Sequence, residues 1–150
     1  MFSELRVSLD LIQAVMPEGA PWWIIGSTAL YLSGVDLRPR DVDVFGPSDV
    51  IEAARLRLGA DAMPPRPDAS FRSSPYFQYW PEGGLEIDFM GDLQVMSGGE
   101  WCELRIASEM WAGGLRLPTL EEQAAILRLF GRPKDMARLA LIEGVKSASR

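Results

Sequence analysis

The sequence contains no histidine and a single cysteine, Cys102. Without imidazole there is no His-based triad, and a typical catalytic zinc site has no nitrogen ligand to draw on. One thiol forms no intramolecular disulfide, which fits a reducing compartment. No apolar run approaches membrane-spanning length. The stretch MFSELRVSLD carries charges where the apolar centre of a secretory leader would stand. The expectation is therefore a cytoplasmic protein with no membrane partner. Positive charge is also scarce: 15 Lys and Arg stand against 21 Asp and Glu, for a net charge of -6. That argues against broad non-specific binding to nucleic acid, and no DNA partner is expected. Any acid–base or metal chemistry has to rest on Asp and Glu.

What is present is enough for a core. Hydrophobic residues make up 47% of the 150 positions, a length and composition that suit one globular domain over 1–150. Leu5, Leu9, Ile12 and Val15 recur at helical spacing and predict a helix over Ser3–Met16, with Ser3 as N-cap, broken by Pro17, Gly19 and Pro21. Trp22–Ile25 reads as a short strand, Ser27–Ser33 as a helix opening directly after Gly26, and Asp41–Phe45 as a strand. Asp49–Leu58 is an amphipathic helix after the turn Gly46-Pro47-Ser48. Gly59–Ser70, with Pro64, Pro65 and Pro67, reads as a loop. Phe71–Trp80 and Leu85–Met90 read as two strands joined by PEGG, a hairpin signal. Gly98-Gly99 marks a turn, and Trp101–Ala107 and Leu115–Leu117 are further strands. Thr119–Phe130 is a helix with a capping box of Thr119 and Glu122, closed by Gly131. Pro133 opens a last helix that runs to about Gly144. Strands adjacent in the middle and helices around them make an α+β domain.

The chemistry concentrates in WWIIGSTALYLSGVDLRPRDVDVFG, Trp22 to Gly46. Aspartate is depleted in strands, yet Asp41 and Asp43 stand inside one, flanked by Val42, Val44 and Phe45. Side chains alternate, so the two aspartates share a face, roughly 6.5–7 Å apart at the backbone. Ionised and partly shielded, they repel by about 2–3 kcal/mol. A Mg²⁺ ion, which takes carboxylate oxygens, would remove that repulsion. LEIDFMGD offers more: Glu86 and Asp88 share one face, and Leu85, Ile87 and Phe89 the other. If this strand lies beside Asp41–Phe45, three or four carboxylates converge, as a two-metal phosphoryl-transfer site requires. Gly26-Ser27 is the complement. Backbone N–H groups at the start of a helix, with a glycine that permits close approach and a hydroxyl that can donate, suit phosphate oxygens.

In this order, IIGSTALYL, RDVDVF and EIDF resemble the DNA polymerase beta-type nucleotidyltransferase superfamily. Its pattern is a Gly-Ser or Gly-Gly turn opening a helix, Asp-x-Asp on a strand, and a third acidic residue on a later strand. The tail EEQAAILRLFGRPKDMARLALI is similar to that of small bacterial nucleotidyltransferase proteins, including relatives of abortive-infection toxins. The resemblance covers about Trp22 to Ile142. It implies a nucleotidyltransferase fold: a mixed twisted sheet, flanking helices and a C-terminal helical pair. It implies Mg²⁺ (or Mn²⁺) held by Asp41, Asp43 and Asp88, with Asp88 helping to activate the acceptor hydroxyl. Gly26, Ser27, Arg128 and Lys134 would contact the phosphates of an NTP, ATP first. Departures are Pro39, where a Ser or Thr often precedes the first catalytic Asp, and Arg138, in a region that often holds another Asp.

The implied activity is transfer of a nucleoside monophosphate to a hydroxyl on a protein, an RNA or a small molecule such as an aminoglycoside. A small protein partner or a homodimer would complete the pocket. Alternatives are a non-catalytic nucleotide- or partner-binding member of the fold, a toxin–antitoxin component and, more weakly, a metal-dependent phosphohydrolase. Residue by residue, plainer roles also exist. Gly26-Ser27 could be a turn and cap, Asp41 and Asp43 a solvated strand face, Glu86 and Asp88 a wet face, and Arg132, Lys134 and Asp135 a helix-start ion cluster. Trp22, Trp23 and the run Tyr76, Phe77, Tyr79, Trp80 read as core and sheet packing rather than base-stacking platforms, and Cys102 as a buried filler.

Overall fold

Valine, isoleucine and phenylalanine at alternate positions of two strands bury one side of a sheet, and the helices on either side of them in sequence supply its cover. The computed structural model describes residues 1–64, 68 and 70–148. The chain order is α1 (Ser3–Val15), β1 (Trp23–Ile25), α2 (Gly26–Leu32), β2 (Asp41–Gly46), α3 (Ser48–Leu58), β3 (Phe71–Arg72), β4 (Tyr76–Tyr79), β5 (Glu86–Gly91), β6 (Gln94–Ser97), β7 (Glu100–Glu103), β8 (Met110–Ala112), β9 (Leu115–Leu117), α4 (Leu120–Phe130) and α5 (Pro133–Ala148). The main sheet has the order β1-β2-β5-β4. Its central pair, β2 with β5, is parallel, and both outer pairings are antiparallel. A three-stranded sheet, β3-β6-β7, and the hairpin β8-β9 flank it. The architecture is the mixed α+β arrangement expected from the order of elements.

One face of the main sheet carries Val42, Val44, Ile87, Phe89 and Phe77, none of them accessible to solvent, packed with Leu5, Leu9 and Ile12 of α1 and Val50, Ile51 and Ala54 of α3. Phe77 and Phe89 stack in register across β4 and β5 with centroids 4.4 Å apart. The other face is divided. Phe45 and Met90 lie under Ile126 of α4, with Leu93 and Leu104. Leu30 of α2, Leu127 of α4 and Ile142 of α5 form a third cluster, which docks the C-terminal pair on α2.

Several local expectations change. Ser3 is the first helical residue and Phe2 the cap, with no side-chain hydrogen bond. The strand expected over Phe71–Trp80 is two strands in different sheets, β3 and β4, because Ser73, Ser74 and Pro75 interrupt it; proline has no N–H to give to a ladder. The strands β6 and β8 are too short and too irregular in polarity to announce themselves. The strand expected over Trp101–Ala107 stops at Glu103, and α5 continues past Gly144. Pro65 and Pro67 of the proline-rich loop lie outside the described residues. Trp80 is an exposed side chain rather than a packed one, and Cys102 is half-exposed rather than buried. The Thr119 cap forms, accepting from Glu122 N at 3.3 Å. Glu122 itself turns to the 104–109 segment, where it accepts from the N–H groups of Ala107 and Ser108 and from the Ser108 hydroxyl. Burial alone would raise its pKa, but these donors outweigh burial and hold the carboxyl below its ordinary value. Among the described residues no helix is long and apolar enough to cross a membrane.

Candidate active site

The parallel pairing of β2 with β5 decides where the acids go. Its register sets Asp41 opposite Glu86 and Asp43 opposite Asp88, so the period of two along each strand becomes a patch across both. Carboxylate oxygens of Asp41, Asp43 and Asp88 lie within 4.8 Å of one another. Glu86 shares the face but not the cluster. The triad sits at the wall of a cavity of about 300 Å³, which is also lined by Gly26, Ser27, Leu30, Tyr76, Gln123, Leu127, Lys134 and Arg138.

Each acid is held from a different side. Thr28 on α2 donates its hydroxyl to the Asp41 carbonyl at 2.8 Å, which ties the helix to β2, the strand that carries Asp41 and Asp43. Gly26 packs on Asp43: a Cβ built on it would meet Asp43 Oδ2 at 2.6 Å, and its φ is +70°. Only glycine accepts both the left-handed backbone and that contact. Asp88 receives two hydrogen bonds at the same oxygen, Oδ1, from the Tyr76 hydroxyl at 2.7 Å and the Gln78 amide at 2.8 Å.

The electrostatics follow from this crowding. Asp43 keeps an edge open to the cavity but is otherwise enclosed. Burial first, then the charges of Asp41 and Asp88, push its carboxyl up to about 8. Asp41 is raised as well, by burial and then by Asp88. Arg138 and, after it, Lys134 oppose both shifts without cancelling them. The donor set is all oxygen, drawn close and left with uncompensated negative charge. Those properties fit a hard divalent cation such as Mg²⁺.

The structure therefore brings together Asp41, Asp43, Asp88, Gly26, Ser27 and Lys134 around one cavity. Arg128 stands apart: it is exposed on α4, and the cavity wall is built from its neighbours Leu127 and Phe130. The ion cluster at the start of α5 also exists, but it belongs to Arg132 and Asp135. The Arg132 guanidinium lies over the Phe71 and Phe130 rings and pairs with the fully buried Asp135 at 2.6 Å. Lys134, exposed, takes no part in that pair. Pro39 is buried and does not line the cavity.

Three residues at the site carry no obvious signal. Arg138 follows Lys134 by four positions, so one turn of helix places both on one side of α5. Tyr76 and Gln78 face Met90 and Asp88 across the β4–β5 hairpin. Counting outward from the PEGG turn pairs both of them in register with β5, so the hairpin signal is the one local clue to their position.

No family model matches the chain, and no curated protein matches it by sequence. Solved structures match over most of its length. A "putative nucleotidyltransferase" from Thermotoga maritima is 16% identical with a TM-score of 0.70, over 90% of this chain and 89% of that one. The lincosamide antibiotic adenylyltransferase LnuA, with lincomycin bound, is 14% identical with a TM-score of 0.56, over 93% and 94%. The antibiotic-resistance factor ANT(2'')-Ia, solved in solution, is 14% identical with a TM-score of 0.52, over 94% and 81%. With these likenesses along nearly the whole chain, the carboxylate triad is carried on a nucleotidyltransferase fold.

Proposed function

We propose that the protein is a metal-dependent nucleotidyltransferase that moves a nucleoside monophosphate from an NTP, ATP first, to a hydroxyl acceptor. The observation that carries this is the triad: carboxylate oxygens from two parallel strands within 4.8 Å, beside a cavity with Lys134 and Arg138 on its wall. Asp41, Asp43 and Asp88 would hold Mg²⁺ or Mn²⁺, which when bound supplies charge neutralisation at the transferring phosphorus and its oxygens. In the transfer a bond forms between the acceptor oxygen and the α-phosphorus, and the bond from that phosphorus to its bridging oxygen breaks. Pyrophosphate leaves, and a carboxylate oxygen of the cluster accepts the hydroxyl proton. Lys134 and Arg138 supply positive charge for the triphosphate, and Gly26 and Ser27 let it approach the acids. Of the similar solved structures, one is a lincosamide antibiotic adenylyltransferase with lincomycin bound and another an antibiotic-resistance factor, which favours a small hydroxylated molecule as acceptor.

The test is incubation with each labelled NTP, Mg²⁺ or Mn²⁺ and a cell extract, following the label and the released product. Label on an acceptor together with pyrophosphate is the expected result. Release of phosphate instead would indicate a phosphohydrolase. Tight NTP binding with no product would indicate a non-catalytic member of the fold.

A further inference from the structure

Asp88 has its orientation fixed by two other side chains. Gln78 lies directly opposite it on β4, and Tyr76 lies two residues along the same face. Both donate to Oδ1, at 2.8 and 2.7 Å. A carboxylate oxygen has about two lone-pair directions, so two donors saturate Oδ1. Rotation of the carboxylate about its last bond would break both hydrogen bonds. Neither donor carries a charge. An arginine in their place would have brought a countercharge to Asp88, whereas a phenol and an amide bring none and fix only its direction. Tyr76 is 9% exposed, and its ring is held at the edge of the core, so the donor itself is positioned.

With Oδ1 taken up by two donors, Oδ2 is the oxygen that Asp88 has left to offer a cation. Mg²⁺ and Mn²⁺ take single oxygens in compact six-fold arrangements. Ca²⁺ is larger, takes six to eight ligands and gains from carboxylates that bind through both oxygens. We propose that Tyr76 and Gln78 set the ion preference of this site, making Asp88 a one-oxygen ligand and so favouring Mg²⁺ over Ca²⁺. This rests on the metal-binding reading above and goes further, because it assigns selectivity to two uncharged residues of β4.

The experiment is calorimetric titration of the purified protein with MgCl₂, MnCl₂ and CaCl₂ alone, with no nucleotide and no activity readout. The variants are Tyr76→Phe, which keeps the ring, the double variant Tyr76→Phe/Gln78→Leu, and Asp43→Asn. In the double variant the Mg²⁺ dissociation constant should rise about tenfold. The Ca²⁺ constant should change much less, so that the preference narrows; Tyr76→Phe alone should fall between the wild type and the double variant. Equal weakening for both ions would mean that the two residues merely support the strand, and unchanged constants would mean that they do nothing to the metal. Either result overturns the proposal while leaving the metal site standing, provided that Asp43→Asn abolishes binding. A wild type that binds none of the three ions, or an Asp43→Asn variant that binds them all normally, overturns the metal reading and this inference together.

Discussion

Asp43 and Val44 are neighbours in β2, and their side chains enter opposite worlds. Val44 packs among α1, α3 and the stacked Phe77 and Phe89 with no solvent contact. Asp43 faces two other carboxylates. The same comparison holds in β5 between Phe89 and Asp88. The valine face lowers the free energy of the fold by removing apolar surface from water. The aspartate face raises it, because three acids are gathered with too little positive charge beside them. One sheet thus spends on its carboxylate side part of the stability that its apolar side supplies, as functional sites do.

That contrast can be broken at one residue. Val44→Asn puts an amide into the core without a partner and should cost about 3 kcal/mol or more, enough to lower the melting temperature sharply or prevent folding. Asp43→Asn, one position away, should leave the metal-free protein folded and no less stable, while transfer falls by at least about 100-fold. If thermal melting and activity gave the two variants the same profile, the division between the faces would be false.

Gly26→Ala is the next largest. Its left-handed φ and the 2.6 Å approach to Asp43 should cost about 1–2 kcal/mol and displace that carboxylate. The steric conflict is therefore with the protein's own acid before any phosphate arrives. Loss of the Mg²⁺-induced rise in melting temperature is the expected sign; a folded variant with that rise intact would separate the turn from the triad.

The pH dependence sharpens the comparison without a mutation. Asp43 titrates near 8 in the folded protein and at its ordinary value, 3.8, once unfolded. Between those values the folded state holds a proton that the unfolded state has lost, so this group's contribution is fully present below about pH 4 and is lost as pH rises through 8. Metal-free melting temperature should fall from pH 5 to pH 8. Saturating Mg²⁺ should oppose that fall, since ionised carboxylates bind the cation. Asp43→Asn should flatten the metal-free slope, and an unchanged slope would assign it elsewhere.

The smallest effect distinguishes two cations of the C-terminal pair. Lys134→Met should raise the NTP dissociation constant about tenfold, roughly 1.4 kcal/mol, with little change in melting temperature. Arg128→Met should change neither. Equal losses of affinity would bring Arg128 back to the site.

The strands that carry the acids, the helix after Gly26 and the capped helix from Thr119 were legible because each has a strict local period or a local cap. Phe71–Trp80 reads locally as one strand because its residues favour strand nearly throughout, and only the third dimension separates Phe71, which pairs with Val95, from Tyr76, which pairs with Met90. The expectation that Arg128 contacts the phosphates, with Arg138 only a departure from the family pattern, lacked the same information. Both are arginines on amphipathic helices, and which one meets the acids depends on how α4 and α5 dock on α2.

By itself the sequence determined that Asp41 and Asp43 share a face, that Val42 and Val44 share the other, that no histidine takes part, and that a glycine stands where the first strand becomes a helix. Those are consequences of composition and of a two-residue period. The tertiary structure alone decided that β5 lies parallel to β2 with Asp88 opposite Asp43. It alone decided that β4 returns to place Tyr76 and Gln78 on Asp88, and that α5 turns Arg138 and Lys134 toward the triad. Strand order and register are set by which apolar faces can be buried together, summed over distant segments, and no local stretch of sequence contains that sum.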